Sequence, residues 1–218
     1  MESEHFSNIV LFDSEEISVL MEKWKVEIRE DSSDRRFRQL FSRISREIKK
    51  EIYFNVPHDS MNLDEYNPTS NYAFLRNSLL LKYQDIRPES FGAFLKSIIN
   101  TASLEEQCDI FSHLSYFEFT PSLIELADIA VRSNIKLIFE SIAINNRFVF
   151  QHFDEKRWNN LVIKAFFIEA DVKKIHRLKD RINPDLINDA TLLLNEKTSA
   201  HRPVSEDLLN IIHYHLSK

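Results

Sequence analysis

The sequence predicts an all-α protein: antiparallel helix pairs stacked as a compact α-solenoid-like (HEAT-like) helical domain. Three observations carry that prediction. The chain has 218 residues and one glycine, Gly92, where average usage would supply about fifteen. The glycine-rich turns of all-β folds and the phosphate-cradling loops of nucleotide folds have no residues to build them. Apolar residues recur at i, i+3, i+4 and i+7 in nearly every segment, which is the pattern of helices with a buried stripe. Prolines stand at helix starts: Thr120-Pro121 and Asn183-Pro184 each place a capping side chain before a proline at the first helical position. Asparagine is then expected at the left-handed helix ends that glycine usually fills.

Taken in order, Asp13 with Glu16 opens a helix near 14–29, as a cap with its acidic partner three residues on. The next, near 33–54, interleaves Arg35, Arg36, Arg38, Arg43, Arg46, Lys49 and Lys50 with Phe37, Leu40, Phe41, Ile44 and Ile48. Its basic face reads as a solvated face, with an anionic partner or membrane surface as the rival reading. A polar connection over 55–67 follows. Helices are expected near 68–84, 88–100 (opened by Pro88), 104–115 (opened by Ser103 with Glu106) and 121–132. Two more lie near 134–146 and 154–169, then a short turn around 171–177 and helices near 184–197 and 205–216. From about residue 88 the helices arrive in pairs, one pair roughly every 30 residues, which suggests stacked hairpins. The whole, 1–218, reads as one helical domain, with an N-terminal helical hairpin (1–60) packed on 68–218.

The helices 134–146 and 154–169 look central. In the second, Trp158, Leu161, Val162, Ala165 and Phe166 make one stripe, while Ile163 and Phe167 extend apolar surface to the back. In the first, Ile135, Ile138, Phe139 and Ile142 form one stripe, and Leu137 and Ile144 a second. Helices apolar nearly all round are buried on both sides. Polar groups set into them need partners, because an unpaired buried charge costs several kcal/mol. Glu140 and Lys164 are expected to be at least partly buried there, with Arg132, Asn134, Asn145, Asn146, Asn159 and Asn160 near the helix ends, and these groups are expected to satisfy one another and the neighbouring helix ends. One reading is a hydrogen-bond network that fixes helix register. The other is a ligand pocket floored by this cluster and walled by Phe139, Trp158, Phe166 and Phe167.

Other function classes find little support. A net charge of −6 argues against nucleic-acid binding. Cys108, the single cysteine, excludes a disulfide framework and fits a reducing compartment. The eight histidines show no metal-ligand spacing, so neither a metal nor another cofactor is expected. No serine stands in a nucleophile-elbow context. No apolar run approaches the roughly 18 residues that span a bilayer. The N-terminus lacks the basic-then-apolar form of a signal peptide, so the expected location is the cytoplasm.

With those residues placed, the chain resembles the EboA family. Arg132-Ser133-Asn134, Phe139-Glu140-Ser141-Ile142-Ala143 and Asn145 resemble that family's "R-x-N … F-E-A-I-A … N" block. Phe153, Trp158-Asn159-Asn160 and Val162-Ile163-Lys164-Ala165-Phe166 resemble its "F … [FW]-N-Q-x-V-L-K-A-L-F" block. Arg177-Leu178, Arg181, Asn183, Leu186 and His201-Arg202-Pro203-Val204 resemble its ending, and Arg76 before Leu79-Leu80-Leu81 is a looser match. Asn146-Arg147-Phe148-Val149 replaces the family's "N-P-Y-P" turn, and Asn160 replaces a Gln.

The resemblance implies a non-catalytic accessory protein in the trafficking of a secondary-metabolite precursor, one that binds a small-molecule metabolite or a protein of the same pathway. A membrane prenyltransferase-like protein is among the partners it implies. The candidate site is Arg132, Asn134, Glu140, Asn145, Asn159, Asn160, Lys164, Arg181 and Asn183, as a ligand-binding or structural polar cluster. Two rivals stand beside it: an enzyme that modifies the precursor around Glu140 and Lys164, and a protein-binding scaffold that uses the basic helix 35–50.

Overall fold

The computed structural model describes residues 15–50, 52–53 and 69–214. The expected cap at Asp13, the polar connection 55–67 and His215 lie outside the described residues. The all-α expectation holds: the described residues form eleven α-helices, with one two-residue antiparallel strand pair, Ile52–Tyr53 with Thr69–Ser70. The chain divides into two compact units, Met1–Ser122 and Leu123–Lys218.

The first unit holds α1 (Glu15–Glu30), α2 (Asp34–Glu47), α3 (Asn71–Ile86), α4 (Pro88–Ile99) and α5 (Leu104–Ser112). Helix α3 packs against all four of the others. It is buried on almost every side, including at Arg76, Asn77, Ser78 and Gln84. Tyr83, fully buried, stacks on Phe94 at 3.8 Å and meets Phe37 edge-on at 5.0 Å. Its hydroxyl donates to Asp34 Oδ1 at 2.9 Å, at the first turn of α2. Burial, and then the Asp34 carboxylate, push that phenol's pKa up to about 12. Ser103 and Glu106 form the expected reciprocal cap on α5, with N···O distances of 2.8 and 3.3 Å.

Gly92 marks a close approach. A Cβ there would lie 2.0 Å from Ser122 Oγ and 2.6 Å from Ser122 Cβ. At an exposed helix position Gly→Ala stabilises by about 1 kcal/mol. Here the sign reverses, because the added methyl must displace neighbouring structure rather than only rotate a hydroxyl. Gly92→Ala is expected to destabilise the protein by about 1–3 kcal/mol in chemical denaturation, as overpacked sites do. Adding Ser122→Gly should recover most of the loss.

The second unit carries α6 (Pro121–Arg132) from Leu123 onward, then α7 (Lys136–Ala143), α8 (Arg147–His152), α9 (Glu155–Phe167), α10 (Pro184–Ser199) and α11 (Glu206–Ile212). Short 3₁₀ turns at Val172–Lys174 and Leu178–Arg181 lie between α9 and α10. Helix α10 packs on both α9 and α11, and α7 packs on α8. The helix expected over 134–146 is shorter, because the backbone turns at Asn145 (φ 49°) and a separate helix, α8, begins.

The all-round burial expected for α7 and α9 is not found. Ile135 is 50% exposed, Leu137 58% and Phe167 53%, so each helix presents one face to the core and one to water. These three residues stand at helix ends, while Ile163, on the back of α9 at mid-helix, is half-buried. Of the described helices, α3 comes nearest to burial on both sides.

Candidate functional site

The residues singled out in the second unit separate into two groups. Arg132, Asn134 and Asn160 are exposed. Glu140, half-buried, pairs at 3.7 Å with Lys136, one turn earlier on its own helix. Lys164 donates to the Ser133 carbonyl at 2.8 Å, and its Nζ lies 5.7 Å from the Phe139 ring centre. Burial lowers the pKa of that amine. Glu140 and Lys164 form no ion pair with each other, though the amine does meet a neighbouring helix end. The acid sits at the wetter edge of α7 within reach of Lys136, while the amine reaches a helix-end carbonyl left without an intrahelical partner. Asn145 contributes a left-handed backbone whose N–H donates to the Lys174 carbonyl at 2.7 Å.

The other group is tightly joined. Asn159 and Asn183 exchange amide hydrogen bonds at 3.1 and 3.0 Å, and Asn183 also caps α10 by accepting from Leu186 N at 2.9 Å. Two residues earlier, Arg181 donates to the Phe150 carbonyl at 2.9 Å, to Phe153 at 2.8 Å and to Val149 at 3.4 Å. Its guanidinium lies 4.6 Å from the Trp158 ring centre. Burial lowers its pKa, while Glu155 and Asp154 act the other way. This arrangement binds the end of α8 and the starts of α9 and α10 together through backbone carbonyls. It uses the polar atoms on the protein itself.

A different constellation occupies the first unit. Helix α2, α4 and the start of α5 enclose an open cleft of about 460 Å³, within the range of small-molecule sites. Its lining includes Arg35, Arg38, Phe41, Ile98, Ala102 and Glu106. Arg38 donates to Ser97 Oγ and lies 5.2 Å from the Phe94 ring centre, which fixes its direction. Arg35, three residues earlier, is exposed.

Behind the cleft, Arg76 of α3 is buried against the rings of Phe41 and Tyr72, at 5.8 and 5.4 Å. It pairs with Asp109 in a short hydrogen bond, with Glu105 at 3.2 Å and with Glu106 at 3.5 Å. Lys50 also reaches Glu105, at 2.9 Å. Burial raises the Asp109 pKa to about 6 against the opposing pull of Arg76. Lys50, with Arg76 assisting, holds the Glu105 carboxyl below its usual range. His113 Nδ1–H donates to the Asp109 backbone carbonyl, 2.8 Å away, and burial lowers the imidazole's pKa.

The Arg76 centre was not among the candidate residues. The signal that marked α9, a polar group inside an otherwise apolar helix, is present in Tyr72-Ala73-Phe74-Leu75-Arg76-Asn77-Ser78-Leu79-Leu80. Three successive polar residues there imitate a solvent face. Among the described residues, no three His, Cys, Asp or Glu side chains gather as a metal site, and no helix is long and apolar enough to cross a membrane.

The geometry defines an all-helical protein with one polar network tying helix ends together and a separate arginine-edged cleft. A family model described as "Metabolite traffic protein EboA" matches residues 9–213, and the chain belongs to that family. No curated protein and no solved structure matches it.

Proposed function

We propose that the protein serves the traffic of a secondary-metabolite precursor by binding it without transforming it, and that the binding place is the cleft between α2 and α4. The family supplies the broad role, metabolite traffic. The observation that supports the place is the cleft itself: Phe41, Ile98 and Ala102 offer apolar contact beside two arginines, in a volume suited to a small molecule. The Arg181–Asn159–Asn183 network is then scaffold. Its donors are committed to carbonyls and to each other, and a guest would have to break those bonds to enter.

Native mass spectrometry on protein purified from cells that make the precursor tests this reading. Wild type should carry a small-molecule mass that denaturation releases. Ala102→Trp, which fills the cleft, should lose that mass while keeping the wild-type helical content. A mass retained by Ala102→Trp, or none on wild type, would refute the assignment.

A further inference from the structure

We infer that the α2–α4 cleft selects a small molecule with an anionic head, carboxylate- or phosphate-like, on an apolar or aromatic body. This rests on the cleft being the binding place proposed above, and it names the chemistry of the guest. The argument is a balance of charge around the opening. Among the described residues, three ionisable side chains line the cleft: Arg35, Arg38 and Glu106. Glu106 is already engaged, by the Ser103 backbone N–H at 2.8 Å and by buried Arg76 at 3.5 Å.

The two arginines are differently placed. Arg35 and Arg38 are one helical turn apart on α2, so their heads share a side of the helix. Arg38 directs one N–H to Ser97 Oγ, and a guanidinium has five such donors. Among the described lining residues the two arginines therefore outnumber the one carboxylate, which is drawn back toward Arg76, and they stand above an apolar floor. A planar guanidinium held in place by Phe94 and Ser97 loses little freedom when it receives a carboxylate or phosphate oxygen pair. An uncharged guest would leave that cation desolvated and unpaired, and a cation would be repelled.

The test uses two dyes of similar shape, the anionic 8-anilinonaphthalene-1-sulfonate and the neutral N-phenyl-1-naphthylamine, followed by fluorescence on the folded full chain. The sulfonate should bind at least tenfold more tightly than the neutral dye, with affinity that falls as salt rises. Arg35→Gln with Arg38→Gln should weaken the sulfonate about tenfold and leave the neutral dye within twofold. Arg35→Gln alone, at an exposed position, should give part of that loss without risk to folding. Ala102→Trp should abolish both.

Equal binding of the two dyes, with both lost in Ala102→Trp, overturns the anion preference and leaves the cleft standing. Binding untouched by Ala102→Trp, or absent altogether, overturns the cleft and the inference with it. If the same arginines instead govern sedimentation with phosphatidylglycerol vesicles, while the soluble sulfonate ignores them, they serve a membrane surface and the inference falls.

Discussion

Replacing Arg181 with Met is expected to destabilise the protein by about 3 kcal/mol, the sum of several hydrogen bonds from a charged donor and a cation–π contact. The reason lies in what α8 lacks. A helix of six residues, Arg147–His152, has most of its carbonyls at its C-terminal end, where later turns supply few donors beyond Phe153 N to Val149 O at 3.2 Å. Arg181 supplies them: one planar head serves Val149, Phe150 and Phe153, and stacks over Trp158. Its positive charge also faces the negative end of the helix. Met fills similar volume but leaves those carbonyls without this donor. Lys keeps the charge but carries a single ammonium on a flexible stem, so Arg181→Lys should recover less than half of the loss. Urea titration gives the magnitude, and amide hydrogen exchange should quicken over 147–158. A Met variant within about 1 kcal/mol of wild type would mean that the carbonyls find other partners at low cost.

How much of this was legible in the sequence varies with the physics of each element. Helix starts were the most readable, because caps act locally. Ser103 with Glu106 and Asn183 before Pro184 both bond to the backbone as their spacing implies. Helix ends were less so. Asn145 takes a left-handed conformation as expected of asparagine, but Glu169, Arg177 and His201 do too. Glu169 and His201 close α9 and α10 with the C-terminal bonds Ala170 N to Ala165 O and Arg202 N to Lys197 O, at 2.9 and 2.8 Å. Nothing in a glutamate or histidine announces that geometry.

Burial was misassigned for a related reason. Apolar count made α7 and α9 look enclosed, yet Ile135, Leu137 and Phe167 stand at helix ends and are half or more exposed. The reverse error hid α3, whose charged and amide residues are buried because partners from α5 come to meet them. Hydropathy reads a residue's own preference. It carries no record of a carboxylate thirty positions away. Within the candidate site, Arg181, Asn159 and Asn183 did come together, and Glu140 and Lys164 did not.

Arg76→Met is expected to cost about 3–5 kcal/mol at pH 7.5, the usual penalty for removing one partner of a buried ion pair. The loss should also depend on pH in a defined direction. In the wild type, burial holds the Asp109 pKa at about 6 against an ordinary value of 3.8. Between those values the folded chain binds more protons than the unfolded one, so this carboxyl's contribution to stability falls as pH rises from about 4 to about 6. Arg76 opposes the shift, so removing it moves the folded pKa further up and extends the decline to higher pH. At pH 5 Asp109 is largely protonated with or without Arg76, and the arginine then matters less. The gap between wild type and Arg76→Met should therefore be smaller at pH 5 than at pH 7.5, by about 1–2 kcal/mol. In the Asp109→Asn background, that pH-dependent part should vanish while the loss of pairing to Glu105 and Glu106 remains. Guanidinium chloride would screen these charges, so urea denaturation at the two pH values is the suitable measurement. An equal gap at the two pH values would mean that Asp109 protonation in this range does not depend on Arg76, and a gap that widens toward pH 5 would mean that the arginine raises the Asp109 pKa instead of lowering it.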